Sequence, residues 1–215
     1  MNHHPQFLTL ARQANIPEHK RVLVAWECPA IRPSNFRATS VRQYGHHIGF
    51  SVLWPEPFGS SAMRWPQGME FASLAPLSID DWRGRSEAAT IVCRNVASTV
   101  PGSLYSLRRE VLALVPEPLL ALRGGGWPTT RHRDLHLAVR ASASAVYQGQ
   151  IPSTALVSQH LRFSPRRRGS PIASKFDWLR GFRTALVIEN SADYVSEKLF
   201  DAMAAGCVPV YVGPP

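Results

Sequence analysis

The last thirty residues constrain the fold more than any other stretch. Ala185 to Glu189 is an apolar run with the length and composition of a buried strand. A polar turn follows, then a helix-like segment from Tyr194 to Ala205, and then Val208 to Val212, a second β-branched strand. Strand, helix and strand at this spacing form one βαβ unit, which requires a parallel sheet. Val195, Leu199, Phe200 and Met203 supply the face expected to pack on that sheet, and Ser191 or Asp193 is the expected helix cap.

The rest of the chain fits the same α/β class. Arg21 to Trp26 and Ile48 to Trp54 read as strands, each closed by prolines. Residues 59 to 88 carry turn formers without periodicity and read as irregular structure or a linker. A second unit begins near Ala89: a strand to Arg94, a helix from Leu104 to Val115, a short strand from Leu119 to Leu122, the turn Gly124-Gly125-Gly126, and a helix from Leu135 to Tyr147. Ser164 to Ser174 reads as a loop. The expected domains are therefore 1–88 and 89–215.

The chain of 215 residues is 45% hydrophobic and 18% charged, an ordinary globular balance. Its formal charge is +9, dominated by Arg, which suits nucleic acid, an anionic membrane surface or a phosphorylated ligand. No recognised helix, zinc or sheet module accompanies the charge, so nucleic acid is not expected as a partner. Cys28, Cys93 and Cys207 are odd in number and widely spaced, without metal or disulfide patterning. No apolar run approaches a membrane span, and the first residues lack the regions of a signal peptide. The expected location is cytoplasmic, with peripheral contact to the inner membrane through the basic surface.

Chemistry concentrates at the turn after the 185–189 strand. The first turn of a helix there would present unpaired N–H groups to an anion, at the sheet edge where open α/β folds bind nucleotides. Lys198 adds a positive charge suited to a diphosphate. Glu197 can accept from ribose or sugar hydroxyls, and Tyr194 offers a flat ring. A packed βαβ unit with a wet Glu-Lys face would carry the same residues. His46-His47 is not expected to bind metal, since strand neighbours face opposite ways. Asp80-Asp81 lacks the spacing and supporting ligands of a metal motif. Trp54, Trp65 and Trp127 are expected to pack.

The string Glu189-Asn190-Ser191, Asp193-Tyr194-Val195-Ser196-Glu197-Lys198-Leu199, then Gly206-Cys207-Val208-Pro209-Val210-Tyr211-Val212-Gly213, resembles the signature of family 10 fucosyltransferases. There an "ENS…DYVTEKL" run precedes a small-residue helix and "G-x-V-P-V-Y-x-G". The resemblance implies two Rossmann-like lobes of GT-B type, the C-terminal one incomplete here because family members continue past this strand. It implies GDP-fucose as donor, an acceptor oligosaccharide of N-acetylglucosamine or glucose type, and no cofactor or metal. Glu189, Asn190, Tyr194, Glu197 and Lys198 would be donor-binding. Arg108, in Ser103 to Glu110, resembles the family's donor-phosphate Arg, with Arg109 the other choice. Glu27, in Trp26-Glu27-Cys28-Pro29, resembles the element that carries the catalytic base. The implied reaction is inverting transfer by single displacement. The alternatives are another nucleotide-sugar transferase of this fold, or a truncated, inactive remnant that binds only nucleotide or a partner.

Overall fold

The computed structural model describes residues 5–25, 27–28, 30–49, 62–64, 78–127, 130–147 and 150–214. It contains two parallel sheets. The first comprises β1 (Val22–Ala25), β2 (His46–Gly49) and β3 (Ala62–Arg64), in the order β1-β2-β3. Val22 pairs with His46 and His47 with Ala62. Helices α1 (Pro5–Gln13) and α2 (Ala38–Val41) belong to this half, and Leu23, Ala25 and Val41 form its small core.

The second sheet holds β4 (Ser86–Val92), β5 (Leu120–Arg123), β6 (Phe182–Ile188) and β7 (Val208–Val212), in the order β5-β4-β6-β7. All its pairings are parallel, with Thr90 beside both Ala121 and Ala185, and Ala185 beside Pro209. Pro209 has no N–H to give a ladder, and it stands on β7, an edge strand of the four, where a proline is tolerated. Short α3 (Ile79–Arg83) precedes β4. The later helices are α4 (Tyr105–Leu114), α5 (Arg131–Tyr147), α6 (Thr154–Arg162), α7 (Lys175–Leu179) and α8 (Glu197–Ala204).

Side-chain alternation along β6 explains why this sheet is covered on both faces. Leu186 and Ile188 join Ile91, Leu112, Leu120 and Trp127 on the α4 side. Ala185 and Val187 join Leu179, Ala202, Ala205 and Cys207 on the α7–α8 side. A strand buried on both faces must be apolar at successive positions, which is why 185–188 reads as an unbroken hydrophobic run.

A buried polar network braces the α4 face. Arg109 lies 2.9 Å from Asp134 on α5, donates to the His160 carbonyl of α6, and donates to Asn95 after β4. Ser164 donates to the other Asp134 oxygen. His160 sits 2% exposed beside this pair, and neither ring nitrogen hydrogen-bonds among the described residues.

Several expectations are corrected. Residues 59–88 are not simply a linker, since β3, α3 and the start of β4 lie within them. Helices α6 and α7 stand where the sequence reading places no helix. The segment expected to be helical from Tyr194 begins only at Glu197, and its cap is Ser196 rather than Ser191 or Asp193. Its sheet-facing residues are Leu199 and Ala202, while Met203 is exposed. His46 and His47 do face opposite ways: His46 is exposed, and His47 is buried against the Val41 carbonyl. Trp127 packs and donates to the Cys93 carbonyl. Trp54 and Trp65, with residues 50–54 of the expected second strand, lie outside the described residues. The three cysteines are buried and free.

Candidate functional site

In the order β5-β4-β6-β7 the chain leaves β4 in one direction and returns to it from the other. The crossover after β4 leads outward to β5, and the next leads back past β4 to β6. Loops after β4 and β6 therefore diverge, and a crevice opens between them at the carboxyl ends of the strands. Ligands of open α/β sheets bind at this switch point. A cleft of about 590 Å³ lies here, within the usual size of a small-molecule site. Val92 to Arg94 contribute from the end of β4, Gly124 and Gly125 from the end of β5, and Asn190 from the end of β6. Helices α4, α7 and α8 add Tyr105, Arg108, Lys175, Glu197 and Lys198.

Glu189 organises the floor of this region. It is fully buried; one carboxylate oxygen accepts from the Ser196 N–H at 2.9 Å and the other from the Ser196 hydroxyl at 2.6 Å. The Ser196 hydroxyl also receives Lys198 Nζ at 2.8 Å, and that amine stands 3.8 Å from Glu189. The carboxylate therefore draws Ser196 inward, which delays the start of α8 by three residues. Ser191, meanwhile, is held in an isolated bridge to Ser103 and donates to Asp193. Glu189 does not line the cleft, and Tyr194 is 1% exposed and does not line it either.

Arg108 and Arg109, adjacent on α4, separate cleanly. Arg108 donates from Nε and Nη2 to the Ile188 carbonyl and from Nη2 to Asn190, and its guanidinium lies over Tyr105. It lines the cleft. Arg109 faces away into the Asp134 network. Asn190 is held by Arg108 and accepts the Leu104 N–H at its own carbonyl.

Two cations in the lining were not singled out from the sequence. Arg94, exposed at the end of β4, makes no ion pair among the described residues. Lys175 bridges Asp201 at 2.5 Å and Glu197 at 3.3 Å. Burial works against its charge, but the two carboxylates outweigh this and hold its amine above the ordinary range. Burial pulls Lys198 below its ordinary range, against Glu197 and Glu189. Burial also pushes Glu197 upward, yet Lys198 and Lys175 bring it below the usual carboxylate range. The lining thus carries four cations and one ionised carboxylate, an anion-accepting balance.

Glu27 comes from the other sheet, just past β1. Burial raises its carboxyl above the usual range; Lys198 and Arg32 pull it down and Glu197 pushes it up. It is not in the lining, but it is electrostatically coupled to two residues that are. Beside it, burial pushes the Cys28 thiol up to about 12, so this cysteine is inert. Among the described residues there is no group of three or more His, Cys, Asp or Glu able to hold a metal.

The cleft wall is fixed by one glycine and one strap. Gly124 has φ +130°, and a Cβ there would lie 1.9 Å from the Cys93 carbonyl oxygen. The strap is the stretch from Phe163 to Ser174. Within it Arg167 is buried and donates to the Leu120 carbonyl, and the Ser170 carbonyl accepts the Gly124 N–H. Pro171 and Ile172 then line the cleft.

No protein-family model matches the chain, and no curated protein matches it. Solved structures of similar shape include an alpha1,3-fucosyltransferase with GDP, 15% identical, with a TM-score of 0.46 over 93% of this chain. An alpha1,3-fucosyltransferase with GDP-fucose is 16% identical, with a TM-score of 0.44 over 91% of it. A third alpha1,3-fucosyltransferase is 12% identical, with a TM-score of 0.46 over 92%. The chain spans 54%, 53% and 58% of those chains, somewhat over half their length.

Proposed function

We propose that the cleft binds a nucleoside diphosphate sugar and that the protein is an inverting glycosyltransferase, with GDP-fucose the donor. The observation that carries this reading is the switch-point cleft with its four cations, built around the stretch Glu189 to Lys198 whose sequence resembles the fucosyltransferase signature. Lys198, Arg94 and Arg108 Nη1 would meet the diphosphate, whose negative charge grows as the sugar leaves. Lys198 and Lys175 hold Glu197 ionised, ready to accept from donor hydroxyls. Glu189 acts from behind the lining, by setting the α8 start, and Tyr194 packs behind it, rather than touching the donor.

In the reaction, an acceptor hydroxyl of an oligosaccharide attacks the anomeric carbon of the sugar as the bond to the diphosphate oxygen breaks. Glu27 takes the hydroxyl proton, and its raised affinity for a proton suits it to that task. Inversion follows from single displacement.

Calorimetric titration with GDP-fucose, and with uridine and adenosine diphosphate sugars, tests the donor. Binding of the guanosine compound alone is expected, and Lys198→Ala should weaken it at least about tenfold. A folded sample that binds none of the three refutes the site; preference for another base refutes the donor assignment alone.

A further inference from the structure

A second basic cleft lies away from the first, and its occupant differs in kind. Residues 131–168 carry seven arginines against a single carboxylate, Asp134, and so supply +6 of the chain's +9. Asp134 is spent on Arg109 and Ser164. Four of these arginines, Arg131, Arg162, Arg166 and Arg168, surround a cleft of about 780 Å³ between the start of α5 and the end of α6. All four are exposed, and none is ion-paired among the described residues. Unpaired like charges brought together repel one another, so the arrangement is at its best against an anionic surface.

Apolar side chains flank the arginines. Leu161 lines the cleft and is 38% exposed. One and two turns beyond Arg131, on the same flank of α5, stand Leu135 at 53% and Val139 at 58% exposed. A single-stranded nucleic acid would look for free aromatic faces, but Phe163, the one aromatic ring lining the cleft among the described residues, lies under the Arg162 guanidinium. A small soluble phosphate would need no apolar flank. Arginines next to exposed leucine and valine on a surface helix suit a bilayer interface carrying anionic headgroups. Among the described residues no helix is long and apolar enough to cross a membrane, so the contact is one of docking.

We infer that the face formed by the first half of α5, the end of α6 and Arg166–Arg168 docks the protein on an anionic phospholipid bilayer. Lipid phosphates sit among the four arginines, and Leu135, Val139 and Leu161 enter the headgroup boundary. The inference does not rest on the identity of the sugar donor.

Co-sedimentation of the full chain with vesicles tests it. Binding is expected to phosphatidylcholine vesicles containing phosphatidylglycerol and not to phosphatidylcholine alone. It should be lost toward 1 M salt, where the Debye length is about 3 Å. Arg131→Gln/Arg166→Gln/Arg168→Gln should lower partitioning on the order of a hundredfold, at about one surface charge's contribution per arginine. Leu135→Ser/Val139→Ser should weaken it separately while leaving the salt dependence in place. Both sets lie on exposed positions, and unchanged thermal melting would show that they fold. Equal partitioning of the arginine variant, or equal binding to neutral vesicles, overturns the inference. So does capture of inositol hexakisphosphate or single-stranded RNA by a protein that ignores anionic vesicles.

Discussion

His160 should make the fold acid-sensitive by an amount that can be worked out in advance. Its imidazole is buried near Arg109 of α4 and Asp134 of α5, with neither nitrogen hydrogen-bonded among the described residues. Burial, reinforced by the Arg109 charge and opposed by Asp134, lowers its pKa from 6.5 to about 4. In the unfolded chain the ring takes a proton as pH falls through 6.5; in the folded protein it resists until about 4. The unfolded state binds more protons across that window, so stability drops as pH falls through it. At about 1.36 kcal/mol for each unit, the full loss is about 3 kcal/mol, of which about 2 has accrued by pH 5. Urea unfolding at pH 7.5 and pH 5 measures it. His160→Leu removes the titrating ring but keeps the backbone carbonyl that receives Arg109, and two unbonded nitrogens leave no hydrogen bond to lose. The variant should shed about 2 kcal/mol less than the parent between the two pH values. Parallel pH profiles for parent and variant would refute the reasoning.

Asp134→Ala leaves Arg109 charged and buried without its carboxylate, and should cost about 3–5 kcal/mol in urea unfolding at neutral pH. Gly124→Ala combines a left-handed backbone with a Cβ driven into the Cys93 carbonyl, so a loss of at least about 2 kcal/mol is expected, seen as a lowered melting temperature. Glu27→Gln, in a protein that turns over, should abolish transfer while calorimetry finds donor affinity nearly intact; retained turnover removes Glu27 as the base.

The elements legible in the sequence are those whose pattern is set locally. The sequence marks β7 to the residue, and β6 and α4 within a few, because an apolar run or a helical stripe runs through each one. Helices α6 and α7 carried quieter signals. Ser174-Lys-Phe-Asp177 is a capping sequence, and Ser174 does accept the Asp177 N–H, but five residues are too few to show a period. Ser153 caps α6 in the same way after Pro152.

The start of α8 could not be read because it depends on a buried carboxylate seven residues upstream, a contact without a local signature. The same holds for the site. Glu197 and Lys198 could be picked out by their motif. Arg94 and Lys175 reach the cleft only because β4 happens to end and α7 to begin there. The separation of Arg108 from Arg109 needed the partners: one finds a strand-end carbonyl and Asn190, the other Asp134.

The strap from Phe163 to Ser174 touches both clefts, yet it is built to keep them apart. Arg166 and Arg168 face the second cleft, and Pro171 and Ile172 face the first. Between them Arg167 is tied to the Leu120 carbonyl, and Ser170 is tied to Gly124 and Arg123. These anchors lie at the two ends of β5, Leu120 at its start and Arg123 and Gly124 at its close, and a surface contact does not shift that strand. A load on Arg166 or Arg168 is taken up by the sheet before it reaches Pro171. The coupling free energy between the two clefts should therefore lie near zero, and by reciprocity neither occupant should alter the other's affinity. Cutting the tie, as Arg167→Ala would, is the change that should let the two surfaces sense each other.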